Sequence, residues 1–348
     1  MKIVLYGDAA QRGNGGWCYA ETLRELGHEV FCADDGVHLQ RYRRLDLRAL
    51  RKVLGSPLER DRRRHAEELV ALAERERPEI VIVLKGLHIA AREVEQMRRG
   101  GAWVVNINHD DFFSLNRANR SRAQRDAIPV YDYVFVTREV NVAEVRPFNP
   151  RVEFFPFAYY PRIHRPVPIP EAERERYAVD VVFVGTFERE RCGLLERLVE
   201  AVPARYAIWG NLWERAGRRS PLRPYIRGQA VMMDEMAKAL GGAQLALGFL
   251  RKKNRDDYTQ RTFEIPACGG LLLAERTARQ QAFYREGVEA EFFDPTQPDE
   301  LIAKVRGLLA DADRRARLRE AGRAALLNQR HTYRDRLERL LEVHAAGT

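Results

Sequence analysis

The chain has 348 residues, a length that predicts two domains of ordinary size. Hydrophobic residues make up 45% of it, enough for two packed cores, and no apolar run approaches the length of about 18 residues that a membrane span needs. The net charge of +9 is compatible with nucleic acid, an anionic membrane surface or an anionic substrate, and equally with a compositional bias towards arginine. The N-terminus begins directly as a strand, without a signal peptide, and the four cysteines show no CxxC spacing. We therefore expect a cytoplasmic protein with neither a disulfide framework nor a zinc site.

In chain order, the first half alternates apolar strands with helical segments. A Gly-rich turn at Gly13–Gly16 leads into a helix that stops at Gly27, and a helical, Arg-rich region follows over Leu39–Arg77. Near-continuous apolar strands between helices predict a parallel, doubly wound sheet. The predicted strands are Ile3–Tyr6, Glu29–Ala33, Glu79–Leu84, Ala102–Asn106, Tyr133–Thr137 and Val152–Phe155.

The segment Pro156–Pro170 is rich in proline and has no apolar period, so it predicts a linker. A second series of strands and helices follows it. Its predicted strands are Val179–Val184, Tyr206–Trp209, Ala243–Phe249, Gly270–Ala274 and Ala290–Phe293. We therefore divide the chain into domains at residues 1–160 and 171–331, with a closing helical segment at 332–348.

The most informative segment is Asp256–Asp294, in which Glu264 lies one helical turn before Cys268–Gly270. The blocks Arg261–Glu264, Ala267–Gly270 and Gly287–Asp294 resemble the donor-nucleotide half of GT-B glycosyltransferases, and more narrowly the CgeB-like (spore-protein-type) family. The resemblance runs from about Val179 to Arg334. It implies an α/β protein of GT-B type, with two Rossmann-like doubly wound domains facing a cleft. It also implies that the last helix, Tyr333–His344, crosses back to the first domain.

The same segment suits a nucleotide diphosphate sugar. A helix beginning near Thr259 would offer backbone N–H groups to a pyrophosphate, and the Glu264 carboxylate would accept hydrogen bonds from the two ribose hydroxyls. Glycines and cations after the strands, including Arg251–Lys253, would complete the donor site. The simpler alternative is an ordinary helix-to-strand connection with solvated loop charges. The donor-site candidates are Gly185, Thr186, Arg189, Arg191, Gly210, Asn211, Asp256, Arg261, Thr262 and Glu264.

Asp256 bears on the stereochemistry. It stands where retaining enzymes with an E-x7-E pattern have the first glutamate, and it is one methylene shorter. The sequence therefore leaves the retaining or inverting outcome open.

The first half supplies the acceptor-side candidates. His109, Asp110 and Asp111 follow a predicted strand at its carboxyl end, where a general base would take the acceptor proton, and we favour Asp110 for that role. The alternative for the aspartates is a helix cap. The loop Asn14, Gly15 and Gly16 predicts an acceptor or phosphate contact, although a simple tight turn explains it equally well.

These residues predict a glycosyltransferase of hexosyltransferase type. It would move a sugar from a nucleotide diphosphate sugar, preferably a UDP-sugar, to an unidentified acceptor hydroxyl, with no metal and no other cofactor. One alternative is a GT-B sugar-nucleotide epimerase. Another is a non-catalytic or nucleic-acid-binding protein that uses Arg41–Arg64, a stretch whose few aromatics and interspersed acids disfavour nucleic acid. The sequence leaves open the sugar, the acceptor and whether the protein is a homo-oligomer.

Overall fold

The computed structural model describes residues 1–34, 57–114 and 119–347, without the side chains of residues 34 and 57–63. Residues 39–56 of the predicted helical region, and with them most of the basic stretch Arg41–Arg64, lie outside the described residues. The chain forms two compact units. Unit 1 contains Met1–Phe157, Lys252–Arg255 and Tyr333–Thr348, and unit 2 contains Ala158–Arg251 and Asp256–Thr332.

Unit 1 is built on a parallel six-stranded sheet of order β2-β1-β3-β4-β5-β6. Its strands are β1 Lys2–Gly7, β2 Glu29–Asp34, β3 Ile80–Leu84, β4 Trp103–Asn108, β5 Tyr133–Val136 and β6 Val152–Phe154. The helices between them are α1 Gly15–Glu25, α2 Pro57–Glu76, α3 Ala91–Arg99, α4 Arg122–Asp126 and α5 Glu139–Val145. The strand β3 is buried along its whole length, as expected for a central strand covered on both faces.

Unit 2 repeats this architecture with the strand order β12-β11-β10-β7-β8-β9, again parallel throughout. Its strands are β7 Val181–Val184, β8 Tyr206–Trp209, β9 Ile226–Gly228, β10 Leu245–Gly248, β11 Leu272–Glu275 and β12 Glu291–Phe293. Its helices are α6 Arg174–Tyr177, α7 Arg189–Ala201, α8 Met233–Gly242, α9 Arg261–Ala267, α10 Ala278–Phe283, α11 Pro298–Ala310 and α12 Ala312–Leu327.

The closing helix, α13 (Tyr333–Gly347), belongs to unit 1 and packs against α1. The Tyr19 and Tyr333 rings meet edge to face with centroids 4.8 Å apart. The buried Arg336 donates hydrogen bonds to the carbonyls of Pro156 and Phe157, at 2.7 and 3.2 Å. These contacts fix the end of the chain on unit 1.

The two parallel six-stranded sheets confirm the predicted α/β fold. The sequence analysis missed one strand, β9, a three-residue edge strand that is largely exposed and carries no apolar run. Residues 158–170 of the predicted linker lie in unit 2, while Lys252–Arg255 lie in unit 1. Within the described ranges, no helix combines the length and the apolar character that crossing a bilayer requires.

Candidate functional site

In unit 2, the strand order reverses between β7 and β10, which are adjacent in the sheet but distant in the chain. Ligands of open α/β sheets bind beyond the carboxyl ends of the strands at such a switch point. The loops that begin at Gly185 and Phe249 flank this point, and α9 follows the second of them. The Arg261 side chain donates from Nε to the carbonyl of Val184, the last residue of β7, at 3.1 Å. Helix α9 is thereby anchored at the switch point.

Glu264 is the central acidic group of this site. It lies in α9, is 5% exposed, and forms an ion pair with Arg261. A buried carboxylate is expensive to ionise unless it is paired, and the Arg261 guanidinium supplies that charge. An ionised carboxylate has about four lone-pair positions, so hydrogen-bonding capacity remains for ligand hydroxyls.

A second buried partner of Glu264 is His164, which the sequence analysis did not identify. The Tyr160 N–H donates to His164 Nδ1 at 2.8 Å, so the proton of the neutral ring is on Nε2. That nitrogen lies 3.4 Å from the Glu264 carboxylate. Burial lowers the pKa of His164, against the pull of Glu264 in the opposite direction. His164 therefore faces Glu264 as a neutral N–H donor.

Arg191 connects the two loops at the switch point. Its guanidinium donates to the carbonyls of Thr186 and Leu250, at 3.1 and 3.3 Å, and its centre lies 5.5 Å from the centroid of the Phe183 ring. Burial lowers its pKa, and the side chain is only 6% exposed. We therefore assign Arg191, a predicted diphosphate contact, to holding the loops in place.

Gly185 and Gly210 lie back to back at the ends of β7 and β8. A Cβ atom on Gly210 would come within 1.9 Å of the Gly185 carbonyl oxygen, and one on Gly185 would meet the Phe183 ring at 2.5 Å. Both positions therefore require glycine for packing, whatever ligand they contact. Thr262 also has a packing role, because its buried hydroxyl donates to Gln280 Oε1 at 3.0 Å.

The remaining donor-site candidates lie on the rim of this site. Arg189 is the exposed first residue of α7, and Arg251 pairs with Glu188 at 3.3 Å. Asn211 is half-buried, and its carbonyl accepts the Phe187 N–H at 2.9 Å. Asp256 is half-buried, and its backbone N–H donates to the Arg251 carbonyl at 3.3 Å. Arg189 and Arg251 remain as cations that a diphosphate can use.

In unit 1, the corresponding switch point lies between β1 and β3. The loop after β1 turns back into α1 at Asn14, which caps the helix through its backbone only. The Gly16 N–H donates to Asp8 Oδ1 at 2.8 Å, and a Cβ atom on Gly16 would clash with that carboxylate at 2.6 Å. A Cβ atom on Gly15 would meet only the Tyr333 hydroxyl, at 3.6 Å. Because a carboxylate already occupies the helix start, the structure favours the tight-turn interpretation over a phosphate loop.

Lys85, at the end of β3, has an unusual backbone conformation that the sequence analysis did not predict. Its φ angle of 59° places a side-chain-bearing residue in the left-handed region. The buried side chains of Gln124 and Asn106 hold it there by donating to its carbonyl, at 2.7 and 3.4 Å. Its ammonium group reaches the Asp110 carboxylate at 2.5 Å. Non-glycine residues in this region cluster at functional sites, where surrounding contacts support the strain.

His109 belongs to the unit 1 cluster, which it forms with Asp110 and Lys85. Its ring stacks on Tyr19 and Phe157, and its Nε2 lies 3.1 Å from the Tyr19 hydroxyl. Burial lowers the pKa of His109 to about 4, with Asp110 acting in the opposite direction and Arg138 and Lys85 reinforcing the effect. At neutral pH the imidazole is therefore uncharged.

Asp111 is fully buried and is used by the fold. Arg255 donates to both of its oxygens, at 2.6 and 2.7 Å, and Asn141 and the Phe113 N–H add one hydrogen bond each at 2.8 Å. Burial opposes ionisation, but these hydrogen bonds outweigh it and hold the pKa of Asp111 below its ordinary value. This geometry gives Asp111 a structural role and separates it from its neighbour Asp110, which is partly exposed.

Part of the chain matches a known protein family. Residues 189–342 match the family model described as glycosyl transferase-like. This region is therefore similar to glycosyl transferase-like domains. The match includes α9, with Arg261 and Glu264, and most of α13. No curated protein sequence matches the chain.

The chain is also similar to solved structures over its whole length. Sucrose-phosphate synthase from Thermosynechococcus elongatus aligns with a TM-score of 0.72 and 16% identity, over 100% of both chains. HepE from Anabaena, solved with UDP and glucose, aligns with a TM-score of 0.69 and 11% identity, over 99% of this chain and 100% of HepE. A protein described as a putative UDP-N-acetylglucosamine 2-epimerase from Listeria monocytogenes aligns with a TM-score of 0.60 and 12% identity. The alignment covers 100% of this chain and 97% of that protein. These similarities confirm the predicted GT-B fold, and the family match over residues 189–342 supports the glycosyltransferase class.

Proposed function

We propose that this glycosyltransferase takes its sugar from a UDP-sugar and that unit 2 binds the donor. The observation that supports this most directly is Glu264, a buried carboxylate oriented by Arg261 and His164 at the switch point of a doubly wound sheet. Two oriented carboxylate oxygens match the vicinal hydroxyls of a ribose, and the strand ends are where a nucleotide binds in such sheets. HepE, which shares the fold, was solved with UDP and with UDP-glucose. The narrower CgeB-like assignment belongs to this proposal and depends on the blocks Arg261–Glu264 and Ala267–Gly270.

The leaving diphosphate would be stabilised by cations of the protein. Arg261 lies beside Glu264, while Arg189 and Arg251 lie on the rim. Fixed positive charges directed at a developing negative charge lower the barrier without reorganisation during the reaction. Guanidinium groups also pair with phosphate oxygens bidentately. On this proposal the enzyme needs no divalent metal.

Activation of the acceptor hydroxyl would fall to the unit 1 cluster. Asp110 was the general base favoured from the sequence, but it is paired with Lys85, whereas His109 is neutral and its Nε2 lies 3.1 Å from the Tyr19 hydroxyl. We therefore propose His109 as the base, with Asp110 and Lys85 setting its electrostatic environment. A protein base of this kind implies inversion at the anomeric carbon, which the anomer of the first product would reveal by NMR.

Thermal unfolding with a panel of nucleotides tests the donor assignment. UDP, GDP, ADP, CMP and dTDP would each be added over a range of concentrations. We expect UDP to stabilise the protein most, by about 2.7 kcal/mol at a concentration 100 times its Kd, because a ligand of the folded state stabilises it by mass action. Equal responses to all five nucleotides, or none at all, would contradict the proposal.

An epimerase is the second candidate, because a protein described as a sugar-nucleotide epimerase shares the fold. The two activities differ in their need for an acceptor. Incubation of UDP-sugars without acceptor should leave the sugar configuration unchanged in a transferase. A second sugar nucleotide formed under these conditions would identify an epimerase instead.

A further inference from the structure

A groove of unit 2 lies at the opposite end of the strands from the candidate donor site. It has a volume of about 940 Å³ and is lined by residues that precede β7, β10 and β11, such as Ala178, Gln244 and Gly269. Its floor is largely apolar and includes Val167 and Ile169. The groove is therefore separate from the strand ends that carry the proposed donor chemistry.

One wall of the groove is a row of arginines from α12. Arg315, Arg319 and Arg323 all line it and are spaced four residues apart, so they share one face of the helix with a rise of about 6 Å between neighbours. Arg174 of α6 adds a fourth guanidinium, and Glu320 is the single acidic lining residue. The lining thus carries four positive charges and one negative charge.

The three α12 arginines form no direct ion pair in the described part of the chain, although Arg315 lies near enough to Asp180 to interact with it electrostatically. Like charges at this spacing repel each other on a helix, and burial together with the neighbouring Arg315 lowers the pKa of Arg319. Arg315 and Arg319 donate to backbone carbonyls at the ends of α11 and α8. The buried Nε atoms of Arg319 and Arg323 have no hydrogen-bond partner among the described residues. Buried donors normally have one, so this wall retains unused hydrogen-bonding capacity, and its four positive charges exceed the acidic groups near them.

We propose that this groove binds a soluble molecule that carries two or more phosphate groups. The regular spacing of guanidiniums along the wall suits several phosphates, each of which accepts charge-assisted hydrogen bonds. The apolar floor would take the uncharged part of the ligand. A concave groove encloses a small molecule, whereas a membrane surface would require a flat or convex basic face. This site is additional to the donor site and does not depend on the proposed base of unit 1.

The test uses inorganic tripolyphosphate as the probe and the full-length protein with saturating UDP, so that the donor site is already occupied. Arg323→Gln is the main variant, because Arg323 makes no hydrogen bond or ion pair within the described residues and its loss should leave the fold intact. Arg317→Gln is the matched control, since Arg317 is exposed on the same helix and does not line the groove. Arg174→Gln tests the second element. Circular dichroism would verify the folding of all three variants.

We expect saturable binding of tripolyphosphate by calorimetry, weakened about tenfold in Arg323→Gln and within twofold of wild type in Arg317→Gln. Arg174→Gln should also weaken binding. No saturable binding to the wild-type protein, or equal loss in Arg323→Gln and Arg317→Gln, would overturn the proposal. So would binding only to phosphatidylglycerol vesicles, compared with phosphatidylcholine vesicles, because it would identify a lipid surface as the source of phosphate.

Discussion

At the residue scale, Glu264 carries the most specific assignment, and its removal is the most direct test. Glu264→Ala should weaken UDP binding by about 1–3 kcal/mol, the range expected when a charged hydrogen-bond partner is lost. Glu200→Ala serves as the control, because Glu200 is exposed near the far end of α7. Calorimetric titration with UDP measures both variants. Unchanged UDP affinity in a folded Glu264→Ala protein would show that Glu264 does not bind the ribose.

His109 is predicted to matter for turnover and for acid sensitivity. His109→Gln should lower kcat by about 10²–10⁴ with UDP affinity kept, as expected for loss of a general base. The folded-state pKa of about 4 lies below the unfolded value of 6.5, so the unfolded state binds more protons between these values. The stabilising contribution of neutral His109 should therefore be complete above pH 6.5 and fall as the pH drops towards 4. Urea titrations at pH 7 and pH 5 would show a smaller pH effect in His109→Gln. Near-full turnover in this variant would make the cluster structural and favour a retaining enzyme.

Lys85 is predicted to tune His109 through Asp110. Lys85→Met leaves the Asp110 carboxylate uncompensated beside His109 and removes a cation that lowers its pKa, so the pKa of His109 should rise. Arg138, another charged group that faces His109, is unchanged in this variant. Tyr19, the hydrogen-bond partner of the His109 ring, is also unchanged. The acid limb of the kcat profile should therefore move to higher pH. Lys2→Met, at the amino end of β1, is the control. An unshifted profile in Lys85→Met would mean that Asp110 does not act on His109.

The site residues that were predicted from the sequence differ from those that were not in how far along the chain their partners lie. Glu264 and Arg261 lie three positions apart on one helix, so local spacing placed both in the donor site, although their ion pair was not predicted. His164 precedes Glu264 by 100 positions, and the strain at Lys85 depends on amides from Asn106 and Gln124. Contacts at such separation exist only after the sheet is assembled. Local sequence patterns therefore identified Glu264 and Asp110, but not His164 and Lys85, which contact them in the folded chain.

At the element scale, the segment Lys252–Arg255 joins unit 1, although its flanks belong to unit 2. Arg255 attaches this segment to unit 1. Its backbone is in the left-handed conformation with φ of 50°. Its side chain makes bidentate contact with Asp111 and an ion pair with Glu144 at 2.7 Å. The hydrogen bonds that Arg255 donates to the Glu144 and Asp111 carboxylates raise its pKa. The sequence analysis placed Lys252 and Lys253 in the donor site and did not single out Arg255, because a basic run at a strand end does not reveal which cation will be paired.

Arg255→Met should destabilise unit 1 by about 3 kcal/mol, because it leaves Asp111 buried without its counter-ion. The double variant Asp111→Asn, Arg255→Met should be less destabilised than the sum of the single variants, which a double-mutant cycle would detect. Glu144→Gln, at the more exposed side of Arg255, should cost less. Hydrogen exchange followed by mass spectrometry reports on peptides of unit 1 separately from those of unit 2. Additive effects in the cycle would show that the pair contributes nothing specific.

At the scale of the whole molecule, repeated apolar strands made the fold predictable. Two runs of buried strands separated by helices predict doubly wound sheets whatever the chemistry of the loops. The order of strands within each sheet was less accessible. Units 1 and 2 differ in order, so their switch points lie between β1 and β3 in one and between β7 and β10 in the other. That difference determines which loops flank each site, and it appears only in the assembled sheets.

The last prediction concerns the charge that stabilises the leaving group in the whole enzyme. A diphosphate that leaves a sugar develops negative charge, which an enzyme meets with either a divalent cation or fixed protein cations. Unit 2 offers Arg261, Arg189 and Arg251 around the switch point, and no group of three metal-ligating side chains occurs within the described ranges. We therefore expect turnover in excess EDTA to match turnover in buffer alone. Arg261→Met should lower turnover in either condition, and added Mn²⁺ should not restore it. Loss of wild-type activity in EDTA, recovered with Mg²⁺ or Mn²⁺, would show that a metal ion carries this charge.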